Sequence, residues 1–191
     1  MGVFTEPTLR PGPQSEQNPD GTAGLTVRNF SVVAQVIATA ARDFVDGSQL
    51  LVPSSGLKVG SKIRFVLDIT KTAAGTASAV FDIAFGTAGT VADTARVSFT
   101  KIAGTAAIDV ARVTIEAVVR SIGTAGVVVG QFSLTHNLAA TGFSTLPAGN
   151  VVTISSGFDN DGQELFIGLN ITTGAADVWT VQRVEASLSG V

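Results

Sequence analysis

Cysteine and tyrosine are missing from these 191 residues, and His136, Trp179 and Met1 are each the sole residue of their type. Without cysteine there is no disulfide and no thiolate metal site, so the chain is indifferent to redox compartment. A single imidazole likewise excludes a metal centre built on several histidines. Charge is scarce too: 14% of the residues are charged, against about 25% in ordinary soluble domains. The net charge of -3 argues against nucleic acid as a partner, because phosphate affinity rests on clustered Lys and Arg. Long apolar runs are also lacking. The most apolar stretch, Val32 to Ala41, is broken by Gln35 and Thr39 and falls far short of the ~20 residues of a spanning helix. Neither a Walker loop nor Gly-x-Gly-x-x-Gly is present to cradle a phosphate.

What is abundant is glycine, threonine and β-branched residues in a rhythm. A Gly-Thr-Ala triplet begins at Gly21, Gly75, Gly86, Gly104 and Gly123. Glycine admits the positive φ of tight turns, and the Val, Ile, Phe and Thr between triplets suit a pleated surface buried on one face. The clearest strand begins at Lys62, where Ile63, Phe65, Leu67 and Ile69 alternate with Arg64, Val66, Asp68 and Thr70. Phe81, Ile83 and Phe85 share a face, as do Val97 and Phe99, and as do Val113, Ile115, Ala117 and Val119 opposite Arg112, Thr114, Glu116 and Arg120. Further strands are expected over 127–136, 151–155, 164–171 and 178–188, with weaker ones over 30–39 and 49–52. The fold class expected is all-β, an antiparallel β-sandwich. A jelly roll is preferred, because the strands after Gly60 number about eight and the Cys-Trp-Cys core of immunoglobulin domains is missing. At this length one domain is the natural expectation.

The first two dozen residues differ in character. Pro7, Pro11, Pro13 and Pro19 lie among Glu, Gln, Asn and Gly, a composition that sustains neither a helix nor a regular ladder. Residues 1–24 are therefore read as an extended N-terminal arm, 25–60 as a connecting segment with one or two strands, and 61–191 as the sandwich. The start lacks the basic and apolar regions of a secretory signal, and Glu6 breaks the myristoylation pattern. Val3, Phe4 and Leu9 are the apolar residues that could anchor the arm on a neighbouring subunit.

Candidate sites are few. In the loop Phe158 to Glu164, the acids Asp159, Asp161 and Glu164 could offer hard oxygen ligands to Ca2+, but the closing Glu comes too early for the helix-loop-helix calcium signature. Asp161-Gly162 reads instead as a hairpin turn. His136 is the one residue on which a Ser-His-Asp device could be built, yet no Gly-x-Ser-x-Gly elbow accompanies it. A hydrogen-bonded strand-end histidine is expected. Asp68 and Asp82, on successive expected strands, form the most plausible pair for glycoside hydrolysis, although both fall on the polar phase and aromatic platforms are scarce. Trp179 is expected in the core or at a subunit contact. Asn29 and Asn170 match the glycosylation pattern, which carries no weight without a signal peptide. No catalytic residue, cofactor or metal is assigned.

Two segments carry a resemblance. The run from Arg64 to Thr100, opening Arg-Phe-Val-Leu-Asp-Ile-Thr-Lys-Thr-Ala-Ala-Gly-Thr-Ala, and the later Phe132-Ser-Leu-Thr-His-Asn-Leu-Ala-Ala-Thr-Gly142 resemble structural proteins of tailed bacteriophages. The resemblance implies a jelly-roll domain, often a homotrimer, displayed on the virion and tethered by an N-terminal segment. It implies a non-enzymatic role as a capsid decoration or head-fibre protein whose partners are its own copies and other virion subunits. The alternative is a receptor- or carbohydrate-binding module of a tail fibre, recognising a host surface glycan through the loops at one end of the sandwich. A hydrolase acting on the host envelope is the remaining class, resting on Asp68 and Asp82.

Overall fold

The protein is described by a computed structural model over residues 14–17, 23–37, 40–138, 141–143, 150–162, 165–174 and 178–191. These residues hold thirteen strands: β1 (Gln14–Gln17), β2 (Ala23–Ser31), β3 (Gln35–Ile37), β4 (Asp43–Phe44), β5 (Leu50–Leu51), β6 (Lys62–Lys71), β7 (Ala79–Gly86), β8 (Thr94–Lys101), β9 (Asp109–Ser121), β10 (Val127–His136), β11 (Asn150–Ile154), β12 (Phe166–Thr172) and β13 (Trp179–Ser189). All pairings are antiparallel. One sheet runs β1-β2-β13-β6-β9-β10-β11, with β3 also on β13; the other runs β4-β12-β7-β8, with β5 also on β12.

The pairing is nested. β2 lies on β13, β4 and β5 on β12, β6 on β9, and β7 on β8. A long hairpin rolled so that its strands fall alternately in two sheets gives this order, which is a jelly roll. β10 and β11 are an addition that widens the first sheet beyond β9. The count of eight strands after Gly60 thus coincides with the jelly-roll number, although the outer members of the roll, β2, β4 and β5, precede Gly60. Residues 14–17 and 23–24, expected in the arm, are strand residues of the large sheet. The 25–60 segment contributes four strands where one or two were expected. β2 is hard to read because its inward positions include Asn29 and Ser31, opposite the core residues Ala186 and Val184.

The alternation read from the sequence is the one that fills the space between the sheets. Ile63, Phe65, Leu67 and Ile69 of β6, Val113, Ile115 and Val119 of β9, and Val128, Phe132 and Leu134 of β10 meet Phe81, Ile83 and Phe85 of β7, Val97 and Phe99 of β8, and Ile167, Leu169 and Ile171 of β12. Phe132 is central, with ring centroids 5.0 Å from Phe81 and 6.0 Å from Phe99. The register of β13 shifts between Val181 and Arg183. A bulge of this kind adds one residue and flips the phase, so Trp179 and Val181 face inward before it and Val184, Ala186 and Leu188 after it.

The four described Gly-Thr-Ala triplets do punctuate the strands: Gly75 precedes β7, Gly86 ends it, Gly104 precedes β9 and Gly123 precedes β10. Only Gly123 among them has a positive φ, of 110°. At Gly104 the requirement is close approach, since a Cβ there would lie 2.5 Å from the Gly142 carbonyl oxygen.

Candidate functional site

Four strands carry an ionisable residue on the inward phase at the same end of the sandwich. Lys71 continues Ile63-Phe65-Leu67-Ile69 on β6, Lys101 continues Val97-Phe99 on β8, Asp109 precedes Ala111-Val113-Ile115 on β9, and His136 continues Val128-Phe132-Leu134 on β10. Register brings them together, because Lys71 lies opposite both Asp109 and Trp179, and His136 opposite Ala111. Lys71, Lys101 and Asp109 are all buried. Charges this deep are rare unless paired.

Phe143, from the segment 141–143, lies over the group. Its ring is 5.7 Å from Lys101 Nζ, 6.0 Å from Lys71 Nζ, and edge-on to Trp179 at 5.1 Å between centroids. Lys71 Nζ donates to the carbonyls of Ala107 at 2.7 Å, Thr105 at 2.8 Å and Thr72 at 3.2 Å, which uses its three donors. Lys101 Nζ donates to the carbonyl of Ile102 at 2.6 Å. The Asp109 carboxylate accepts from three sides: Oδ2 from His136 Nδ1 at 2.8 Å and Phe143 N at 2.9 Å, and Oδ1 from Val110 N at 2.8 Å. An ionised carboxylate only accepts, so His136 carries its proton on Nδ1.

Burial works to raise the Asp109 pKa, but the Phe143 amide, His136 and the Val110 amide outweigh it and hold the carboxyl below its ordinary 3.8. Burial pushes Lys71 down, with Asp109 opposing. Lys101 goes further. Burial and then the Lys71 charge bring it from 10.5 to about 8, against the pull of Asp109. The consequence has a definite sign. Below about pH 8 Lys101 is charged in both folded and unfolded chains and its burial penalty is fully present; between about 8 and 10.5 the unfolded chain binds the extra proton, so stability rises with pH. Denaturant titrations at neutral pH and near pH 10 should show this rise, and Lys101→Met should flatten it.

Asp68 and Asp82 are not brought together. Asp68 faces outward from β6, where Arg112 Nε and Arg183 Nε approach it at 2.8 and 3.0 Å. Its carboxyl is held below the usual range, first by the hydrogen bond from Arg112, with burial opposing. Asp82 faces outward from β7 in the other sheet and is buried under Arg42 and Asn170. The two carboxylates lie on opposite outer faces, so the pair does not form an acid-base couple. The expected hairpin at Asp161-Gly162 is also corrected: β11 and β12 belong to different sheets, and the loop crosses between them. Asn160 ties that loop down, donating to the Ser121 carbonyl at 2.9 Å and accepting from Gly123 N at 3.0 Å. Asp159 Oδ1 accepts from Asp161 N at 3.1 Å. Glu164 lies outside the described residues, as do Val3, Phe4 and Leu9. Trp179 is a core residue. Asn29 donates to the Gln49 carbonyl at 2.8 Å, and Asn170 is buried.

Sequence reasoning passed over Lys71, Lys101 and Asp109. The signal was phase: each is the inward position of its strand, continued by one step past the last apolar residue.

No known protein family and no curated protein matches the chain. Among solved structures it is similar to a lectin from Bauhinia forficata in complex with GalNAc, at 13% identity and TM-score 0.39, covering 87% of this chain and 98% of that one. It is similar to arcelin-5, a lectin-like defense protein from Phaseolus vulgaris, at 9% identity and TM-score 0.38, with coverage of 87% and 98%. The CBM2 module of the evolved Dit of Lactobacillus casei BL23 phage J-1 is similar at 11% identity and TM-score 0.27, with coverage of 87% and 90%. These likenesses are distant, and the chain's class rests on its own sheets: it is an all-β antiparallel sandwich.

Proposed function

We propose that this protein is a non-enzymatic structural component of a bacteriophage virion, a capsid decoration or head-fibre protein that attaches through its N-terminal residues and associates with its own copies through the sandwich. The resemblance of 64–100 and 132–142 to phage structural proteins supports the class. The observation that carries the self-association is the composition of the surface. Phe30, Val32, Val33 and Val36 cluster in sequence around the end of β2 and are 50 to 75% exposed. On the outer face of β9 to β11, register places Val118, Val129 and Ile154 in one row, and Val118, Val152 and Ile154 are exposed. Contiguous exposed apolar side chains favour a surface that meets another protein. Asp68 and Asp82, the acids considered for hydrolysis, are engaged by arginine.

The test follows from the fold. Removing 1–24 would take β1 and the start of β2, so the informative deletion is of residues 1–13, which keeps Gln14–Gln17 paired with Ala23–Thr26. The shortened chain is expected to keep its far-UV β signal and its oligomer mass while losing co-sedimentation with particles. Undiminished particle binding would overturn attachment through the N terminus, and a monomer at high concentration would overturn the association. Capture of host polysaccharide on a glycan array would move the reading to a tail-fibre recognition module.

A further inference from the structure

We infer that Asp109 is an acid-sensitive clamp: its carboxylate holds the 141–143 segment, with the Phe143 ring, against one end of the sandwich, and neutralising it frees that segment while the two sheets stay folded. The geometry supplies the reason. Segment 141–143 is held by the Phe143 amide on Asp109 and by reciprocal bonds with Thr105, Gly142 N to Thr105 Oγ1 at 2.6 Å and Thr105 N to the Gly142 carbonyl at 2.8 Å. The backbone at Gly142 lies directly on the carboxylate, since a Cβ there would meet Asp109 Oδ2.

The groups facing Asp109 from the packed elements are Lys71 on β6, Lys101 on β8 and His136 on β10; β13 presents Trp179, and the 102–107 connection presents carbonyls to Lys71. Among the described residues, Asp109 is thus the anion among three cationic or protonatable groups. Protonating it replaces charge-assisted bonds by neutral ones of about half the strength. It also leaves the buried Lys71 and Lys101 without the anion between them, where repulsion is weakly screened. Among the described residues, the other buried charges are Asp82, on the outer face of β7, and Asp93, in the β7–β8 connection, so the effect is confined to this end. The sign is that of a lowered carboxyl: the clamp is fully set above the ordinary value of 3.8 and is lost as pH falls through the lower folded value.

Trp179 is the sole tryptophan and stands edge-on to Phe143, so its emission reports the clamp directly. On acidification of the full chain, Trp179 emission should move to longer wavelength, and acrylamide quenching should rise, before the far-UV β signal changes. Asp109→Asn should show the shifted emission at neutral pH with no acid step. Lys101→Met, which removes one of the cations that favour the ionised carboxylate, should move the acid step to higher pH, and it decides the matter if Asp109→Asn does not fold. Coincident loss of Trp179 and far-UV signals in the unaltered chain would overturn the clamp. So would an acid step unmoved by Lys101→Met, or an Asp109→Asn protein that keeps both the native emission and the step.

Discussion

Arg42→Met is expected to cost about 3 kcal/mol of unfolding free energy, a loss on the scale of breaking a buried ion pair from one side. Asp82 is 3% exposed, and Arg42 supplies its principal compensation, with Nε 2.9 Å from Oδ2. The same guanidinium donates to the carbonyls of Val91 at 2.7 Å and Asp93 at 2.6 Å. It thereby joins the segment before β4 to β7 and to the β7–β8 connection. The hydrogen bond to Asp82, with burial opposing, raises the Arg42 pKa, so the side chain stays charged at any working pH. With Arg42 gone, the hydrogen bond from Asn170 Nδ2 at 3.2 Å is what remains, among the described partners, to offset its desolvation. Adding Asp82→Leu to Arg42→Met should restore most of the loss, because an apolar pair of similar volume is often neutral against a buried ion pair. Urea unfolding of the single and double variants measures both. A single-variant loss of about 1 kcal/mol or less, the scale of an exposed pair, would mean that Asp82 is relieved in some other way.

Phe132→Ala is expected to cost about 3 to 5 kcal/mol, the range for deleting a buried aromatic ring from a packed core. Phe132 is fully buried and its ring touches aromatic neighbours from the opposite sheet, Phe81 and Phe99. Phe99 is also seated on Gly130, where a Cβ would come 2.6 Å from its Cζ. Removing Phe132 therefore strips contacts from both sheets at once, and neither can close the space without tilting strands held by their ladders. Phe30→Ala provides the contrast. That ring is 61% exposed, and its loss should change the stability of the isolated chain by about 0.5 kcal/mol or less. Equal effects at the two positions would contradict the assignment of inner and outer faces.

Most of the sandwich was legible because one face of each long strand is apolar. β6, β7, β8, β9 and β10 follow the alternation residue by residue, and their inward sets form the core. Legibility failed where the inward side chain is polar or the strand is too short to show a period. β2 turns Asn29 and Ser31 inward, and β4 and β5 are two residues each, so the segment before Gly60 read as a connection. The polar end cluster failed for a related reason. A lysine ending a strand reads as a solvated tip, and only the register, which sets Lys71 against Asp109 and Trp179, turns that tip inward. Asp68 and Asp82 occupy the outward phases read for them, but that they lie on opposite outer faces was not legible, because periodicity alone does not say to which sheet a strand belongs.

The nesting of strands also dictates an order of events in time. Ser31 is partnered by Val184 and Val27 by Leu188, so the ends of the roll are joined across almost the entire polypeptide. Closing so large a loop costs entropy before any contact repays it. The β7–β8 and β9–β10 hairpins can form early, whereas the flank of β2 must wait on the ribosome until β13 has emerged. A refolding experiment should therefore find a slow final phase that reports on β2 and β13 together, and a nascent chain stopped short of Trp179 should leave the edge of β6 that pairs with β13 open to chaperones.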